Sequence, residues 1–164
     1  MPEREGLSRG FLAVPGMGSV EVIADERRVH AVEIHNGADL GRVRDSITAR
    51  YLVELEEYFE GERREFDWPL SFEGLPPFRR SVLETLRGVA YGRTITYGEL
   101  AAKAGNPGAA RATGQAVGAN PFGIVVPCHR VLASGGRLGG YGGGLSVKVF
   151  LLDLEARFGA GAQT

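Results

Sequence analysis

An α+β fold in two parts is predicted by three features of the sequence. Residues 10–35 hold three short runs, two of them alternating apolar with polar side chains, as half-buried antiparallel strands do. Beyond them, apolar residues recur at spacings of three and four, the period of a helix packed on one face. Between residues 67 and 77 the chain carries three prolines and a glycine, which suits a linker. At 164 residues with 43% hydrophobic content there is enough chain for one large or two small cores. The expected division is 1–70, a small antiparallel sheet with a covering helix, and 71–164, a mostly helical unit.

In the first part the expected strands are 10–14, 19–23 and 29–34, joined by turns at Pro15-Gly16-Met17-Gly18 and Asp25-Glu26-Arg27-Arg28. Ile47, Tyr51, Leu55 and Tyr58 form one apolar helix stripe that stops at Gly61, with Glu54, Glu57 and Glu60 as its solvated face. No chemistry is legible in this part.

The second part opens with a helix whose stripe is Phe78, Val82, Leu86 and Val89, with Gly88 near its end. After the Tyr91-Gly92-Arg93 turn, Thr96 followed three residues later by Glu99 reads as a capping box for a short helix reaching Ala104. Gly105 ends it, Asn106 can cap the next helix, and Pro107 suits a first turn, giving a second helix over about 107–118. Helix, tight turn, helix is the layout of a helix-turn-helix. The second helix is rich in Ala and Gly, so its backbone can lie close to a surface; only Arg111 and Gln115 are long among its central residues. The run Ile124-Val125-Val126 reads as a buried strand that ends at Pro127, which cannot donate to a ladder. Seven glycines within 135–144 give a permissive backbone for a wing or pocket-lining loop, with no phosphate-loop lysine after them. Val147, Leu151, Leu154 and Phe158 mark the buried stripe of a last helix, leaving Lys148 and Glu155 on another face.

Charge is uneven. Residues 1–71 carry 9 basic and 15 acidic side chains, a net of −6, whereas residues 72–164 carry 10 and 5, a net of +5. Such asymmetry points to nucleic acid, with the basic half as the binding half and with salt-sensitive affinity. No apolar run approaches the ~20 residues of a membrane span, and the charged start Met1-Pro2-Glu3-Arg4-Glu5-Gly6 lacks a signal-peptide core. A cytoplasmic protein is expected, associated with the nucleoid when on DNA. Its single cysteine can form neither an internal disulfide nor a cysteine-rich zinc site.

That cysteine sits in Pro127-Cys128-His129-Arg130. A neighbouring His and Arg favour the thiolate, the nucleophilic form. Adjacent side chains of an extended strand point to opposite faces, so Cys128 and His129 can cooperate only on a bend or through a bridging water.

The motifs from Tyr97 to Glu155 resemble the O6-alkylguanine-DNA alkyltransferase family. They are Thr96-Tyr97-Gly98-Glu99-Leu100-Ala101, Gly105-Asn106-Pro107, Ala109-Ala110-Arg111-Ala112, Gly118-Ala119-Asn120-Pro121, Ile124 to Val131, and Gly139 to Leu145 followed by Lys148, Leu151, Leu152 and Glu155. The resemblance is specific over about the last ninety residues and general before them. It implies a ribonuclease H-like first domain and a winged-helix-like DNA-binding second one. It further implies base flipping, with alkyl transfer from O6-alkylguanine, and O4-alkylthymine, in double-stranded DNA to Cys128, once per molecule. By the same resemblance Glu155 orients His129, which draws the Cys128 proton through a water, and Tyr97 assists the departing guanine. Arg111 would enter the base stack. Gln115, Asn120, Thr96 and Arg130 would complete the DNA contacts, Asn120 also tying the helix-turn-helix to the cysteine turn. Tyr141, Val131, Gly142 and Lys148 would line the pocket. Gly142 stands where some members carry a hydroxyl side chain, and Leu83 where many bacterial members carry tryptophan. No metal or cofactor is implied, and the expected state is a monomer.

Two other readings compete. A lesion-binding relative without repair activity carries tryptophan where this chain has Cys128. A cysteine hydrolase would need neither Arg111 nor the helix-turn-helix.

Overall fold

The computed structural model describes residues 6–159, and the chain divides into two compact units that meet in sequence at Ser71 and Phe72. The charged residues 1–5, part of the segment read as lacking a signal peptide, lie outside the described residues. Among the described residues no helix is long and apolar enough to cross a membrane.

In the first unit, β1 (Ser8–Val14), β2 (Gly18–Ala24), β3 (Val29–Asn36) and β4 (Arg42–Val43) form an antiparallel sheet in the order β3-β2-β1-β4. The two-residue β4, which has no alternation of its own, pairs Val43 with Phe11. Helix α1 (Ala49–Phe59) buries Tyr51, Leu52, Leu55 and Tyr58. Ile47 falls before the helix, because Thr48 is its N-cap position.

Two expectations change here. The start of the proline-rich stretch is not a free linker. Val29 donates to the Pro69 carbonyl at 2.8 Å and accepts from the Ser71 amide at 2.8 Å, so residues 69–71 extend the sheet beside β3. Trp68 is buried, and its indole donates to Glu54 Oε2 at 2.9 Å, with Arg63 also on Glu54 at 2.9 Å. Glu54 therefore anchors the return of the chain, and is not a purely solvated charge.

The second unit holds α2 (Pro77–Arg87), β5 (Ile95–Thr96), α3 (Tyr97–Lys103), α4 (Ala110–Gly118), β6 (Val131–Leu132) and α5 (Leu145–Gly159). The α2 stripe buries Val82, Leu83 and Leu86. Thr96 caps α3, its hydroxyl accepting from the Glu99 amide at 3.1 Å and donating to the Glu99 carboxylate at 3.0 Å.

Helix α4 begins at Ala110, three residues later than the sequence suggests. Gly108 has φ of +89°, outside the helical region, and the Ala109 amide returns to the Asn106 carbonyl at 3.1 Å. Pro107 and Gly108 thus occupy the middle of a turn of the type that wants proline and then a positive-φ glycine.

The apolar run 124–126 is buried but is not a strand. Ile124 has φ of +70°, and the Val126 amide bonds back to Phe122 at 2.9 Å. The Asn120 side chain organises this curl, accepting from the Phe122 amide at 2.9 Å and donating to the Val126 carbonyl at 2.9 Å. A side chain that offers the backbone local partners competes with a ladder, and here it prevails. What pairing there is lies just after the cysteine, where β6 runs parallel to β5 with Val131 opposite Ile95 and Leu132 opposite Thr96.

Candidate active site

Cys128 starts a single 3-10 turn, Cys128–Arg130, between the curl and β6. That bend removes the strand geometry that would have separated Cys128 from His129. The next two side chains of the turn both reach α5, where they meet one carboxylate. His129 Nε2 lies 2.6 Å from Glu155 Oε2; Arg130 Nε is 2.8 Å from Oε1 and Arg130 Nη2 is 2.9 Å from Oε2. The Gly92 amide adds a bond to Oε1 at 3.1 Å, and Arg130 Nη1 donates to the Val89 carbonyl at 2.7 Å. His129, Arg130 and Glu155 are all buried.

Burial by itself would raise the pKa of Glu155, but the hydrogen bonds from His129 and Arg130 outweigh it and hold the carboxyl well below its usual range. Glu155 is therefore ionised and accepts. Nε2 of His129 must carry the hydrogen, which leaves Nδ1 as the lone-pair nitrogen. Nδ1 is buried and has no hydrogen-bond partner. Burial also lowers the His129 pKa despite Glu155, so the resting ring is neutral.

The Cys128 thiol is pushed up by burial, and pulled back in part by hydrogen bonds with the Asn120 side chain and the Tyr141 hydroxyl and by the charge of Lys148. Desolvation, with Cys128 nearby, raises both Tyr141 and Tyr97, so both phenols keep their protons. Tyr97, the first residue of α3, packs under the glycine-rich loop. A Cβ at Gly139, where φ is +68°, would come within 3.4 Å of the Tyr97 ring. Only a glycine lets the loop lie that close in that conformation.

Helix α4 presents Arg111, Ala112, Gln115 and Gly118 on its exposed face and buries Thr113, Ala116 and Val117. Its two long side chains thus share the outer face.

Two sequence expectations are corrected. Arg130, expected among the DNA contacts, is buried with its guanidinium spent on Glu155 and Val89, so no phosphate can reach it. Lys148 and Glu155 belong to the buried face of α5 together with Val147, Leu151 and Leu154, while Phe158 is only partly buried. The Thr96 hydroxyl caps α3, and the Asn120 side chain ties the end of α4 to the turn before Cys128 through the Phe122 amide and the Val126 carbonyl. The carboxylate's Arg130 and Gly92 partners escaped sequence reading. The only signal for the first was a basic residue immediately after the Cys-His pair, equally compatible with a surface charge.

Outside this set, Glu21, Glu33 and His35 bring donor atoms within 4.8 Å of one another. Arg9 and His35 already balance Glu21, at 2.8 and 2.9 Å, and nothing marks a cation there.

The fold and this set define a class: a cysteine protein in which the thiol, a buried His-Glu pair and a helix-turn-helix share one compact unit. A family model described as the DNA binding domain of 6-O-methylguanine DNA methyltransferase matches residues 77–157, and one for the ribonuclease-like domain of the same family matches residues 9–72. The chain belongs to the 6-O-methylguanine DNA methyltransferase family. It is 51% identical over 102 residues to a methylated-DNA–protein-cysteine methyltransferase of Methanosarcina acetivorans, and 53% identical over 104 residues to that of Mycolicibacterium paratuberculosis. These matches cover 62% and 63% of this chain and span 65% and 62% of the relatives' own lengths. Among solved structures it resembles a Mycobacterium tuberculosis O6-methylguanine methyltransferase, with a TM-score of 0.81, 34% identity and coverage of 92% of this chain and 93% of that one. A Mycobacterium tuberculosis OGT in complex with DNA gives a TM-score of 0.79 at 35% identity, covering 90% and 92%.

Proposed function

We propose that this chain repairs O6-alkylguanine, and O4-alkylthymine, in double-stranded DNA by moving the alkyl group to Cys128. The observation that carries the reading is the state of the His129 ring. Its Nε2–H is committed to an ionised carboxylate, and its Nδ1 lone pair is buried without a hydrogen-bond partner, on the residue that follows the chain's one cysteine.

The chemistry balances on these groups. The Cys128 proton passes to Nδ1, directly or through a water, and the thiolate attacks the alkyl carbon on O6. The S–C bond forms as the C–O bond breaks, and the electron pair leaves on guanine. The guanine anion takes up one proton, with the Tyr97 phenol as donor and solvent restoring that phenol. His129 then gives up its extra proton to solvent, so that overall the cysteine loses a proton as guanine gains one. Nothing in the set can displace an alkyl group from a thioether, so one molecule acts once.

The target base lies inside the duplex, and extruding it costs a few kcal/mol. Arg111, on the exposed face of α4, takes the vacated place in the stack, with Gln115 one turn further along the same face. Tyr141 lines the pocket from the loop, with Gly142 and Val131 beside it. All of these residues lie on one chain, so a monomer suffices. A thiol that must stay reduced suits the cytoplasm, with the protein on the nucleoid while engaged.

The test is intact mass after incubation with excess O6-methylguanine duplex. One methyl per protein on Cys128, and then no further change, is the expected result; continued turnover would point to the hydrolase. An unmodified cysteine with tight binding to the lesion would favour the recognition-only reading. Arg111→Ala should slow repair of the duplex at least tenfold while sparing transfer from free O6-benzylguanine, since a free base needs no extrusion. Equal losses on both would remove Arg111 from the flipping step.

A further inference from the structure

Lys148, on the inner face of α5, is fully buried, yet none of its hydrogen-bond partners is a carboxylate. An ammonium has three donors, and Nζ places them on three backbone carbonyls: Val131 at 2.7 Å, Leu138, and Gly140 at 3.2 Å. The first belongs to β6, three residues after Cys128. The other two flank Gly139, the residue packed on Tyr97, and lie just before Tyr141, whose hydroxyl bonds the sulfur. One side chain thus ties together the strand leaving the cysteine and the loop that carries its tyrosine.

A buried charge facing only carbonyl dipoles is expensive unless an anion completes it. The charged and titratable groups around Cys128 show which anion that is. From its own turn come His129, which is neutral, and Arg130, which is spent on Glu155. From α5 come Glu155 and Lys148; from α3 comes Tyr97 and from the loop Tyr141, both protonated. The charge of Lys148 is the one that no carboxylate cancels.

We propose that Lys148 is a positioning residue for transfer: its ammonium pins the glycine-rich loop to β6, keeping Tyr141 on the sulfur, and supplies the positive charge that the Cys128 thiolate meets. The proposal rests on the alkyl-transfer reading for its purpose, but not for its test. Its role is distinct from that of Glu155, which acts on the base and not on the nucleophile.

The test measures the rate of Cys128 alkylation by iodoacetamide against pH, beside single-turnover methyl transfer, in the full chain. Lys148→Met should raise the pH midpoint of iodoacetamide alkylation by about one unit, which at neutral pH leaves about tenfold less thiolate. It should also speed amide hydrogen exchange in residues 138–144. Lys148→Arg, which keeps the charge, should restore most of the low midpoint. Where the methionine variant does not fold, Lys148→Gln carries the same expectation, being neutral but still a donor. A folded neutral variant with an unshifted midpoint and normal loop protection overturns the proposal. Were the unaltered protein to accept no methyl group while Lys148→Met still shifted the midpoint, the repair reading would fall and the clamp would stand.

Discussion

Each unit contains a buried glutamate held by one arginine and one histidine, and the two sets behave differently. In the first unit Glu21 meets Arg9 at 2.8 Å and His35 at 2.9 Å. In the second, Glu155 meets Arg130 at 2.8 Å and His129 at 2.6 Å. The distances barely differ, but the partners' exposure does. The Arg9 and His35 side chains are 50% and 36% exposed; those of Arg130 and His129 are 7% and 0%. Water screens the first set and can replace either partner. It reaches almost none of the second, so every charge there depends on the others. Two Glu-His-Arg groupings of the same composition thus differ in desolvation, and the buried one directly follows the cysteine in sequence.

The same substitution in both sets should expose this difference most strongly. Glu155→Gln leaves Arg130 buried without its counter-charge and should cost about 3–5 kcal/mol. Glu21→Gln leaves Arg9 half in water and should cost no more than about 1 kcal/mol. Urea denaturation of both variants checks the pair, and equal losses would mean that exposure of the partners does not govern the energetics.

The next effect is on rate. At a temperature where Glu155→Gln is folded, loss of the carboxylate frees the His129 ring and raises the effective pKa of the thiol by one to two units. Each unit is worth about 1.4 kcal/mol, so transfer at neutral pH should slow about ten- to a hundredfold. Raising the pH should recover part of the loss, and DNA affinity should stay the same. Glu21→Gln should leave the pH profile of transfer where it was. A neutral-pH rate unaffected by Glu155→Gln would reduce the buried set to a structural one.

Acid should separate the sets more gently. His129 is held neutral, with its pKa below the ordinary 6.5, so the unfolded chain binds that proton first. The stability it contributes is complete above about pH 6.5 and drains as pH falls below that value. Glu155 lies below its ordinary 4.5, so its contribution is complete above about pH 4.5 and is lost as pH falls towards the folded value. Denaturation midpoints at pH 7.5, 5.5 and 3.5 should therefore fall in two stages, and the lower stage should shrink in Glu155→Gln. A flat response between pH 7.5 and 5.5 would show that His129 takes up its proton while the protein is folded.

The smallest change should come from Arg9→Met. Its guanidinium is half exposed and His35 still faces Glu21, so about 1 kcal/mol or less is expected from the same denaturation measurement. A loss matching that of Glu155→Gln would erase the contrast between the two sets.

Local signals in the chain were enough for the alternating strands of the first unit, the stripes of α1 and α2, and the Thr96–Glu99 cap of α3. Each depends on side chains within a turn or two of one another, where period and capping chemistry act directly. The adjacency of Cys128 and His129, and the small-residue face of α4 with Arg111 and Gln115, were legible for the same reason. What depended on distant segments was not. Strand β4 and the pairing of residues 69–71 need partners elsewhere in the sheet. The curl of 124–126 depends on the Asn120 amide outcompeting a ladder for backbone groups. The inward turn of Arg130 depends on a carboxylate twenty-five residues away. Lys148 faces inward only because three carbonyls from two segments converge to receive its ammonium. Sequence supplied the reactive groups and their local frames; the tertiary structure decided which charges lose their water, and so which of them can act on the thiol.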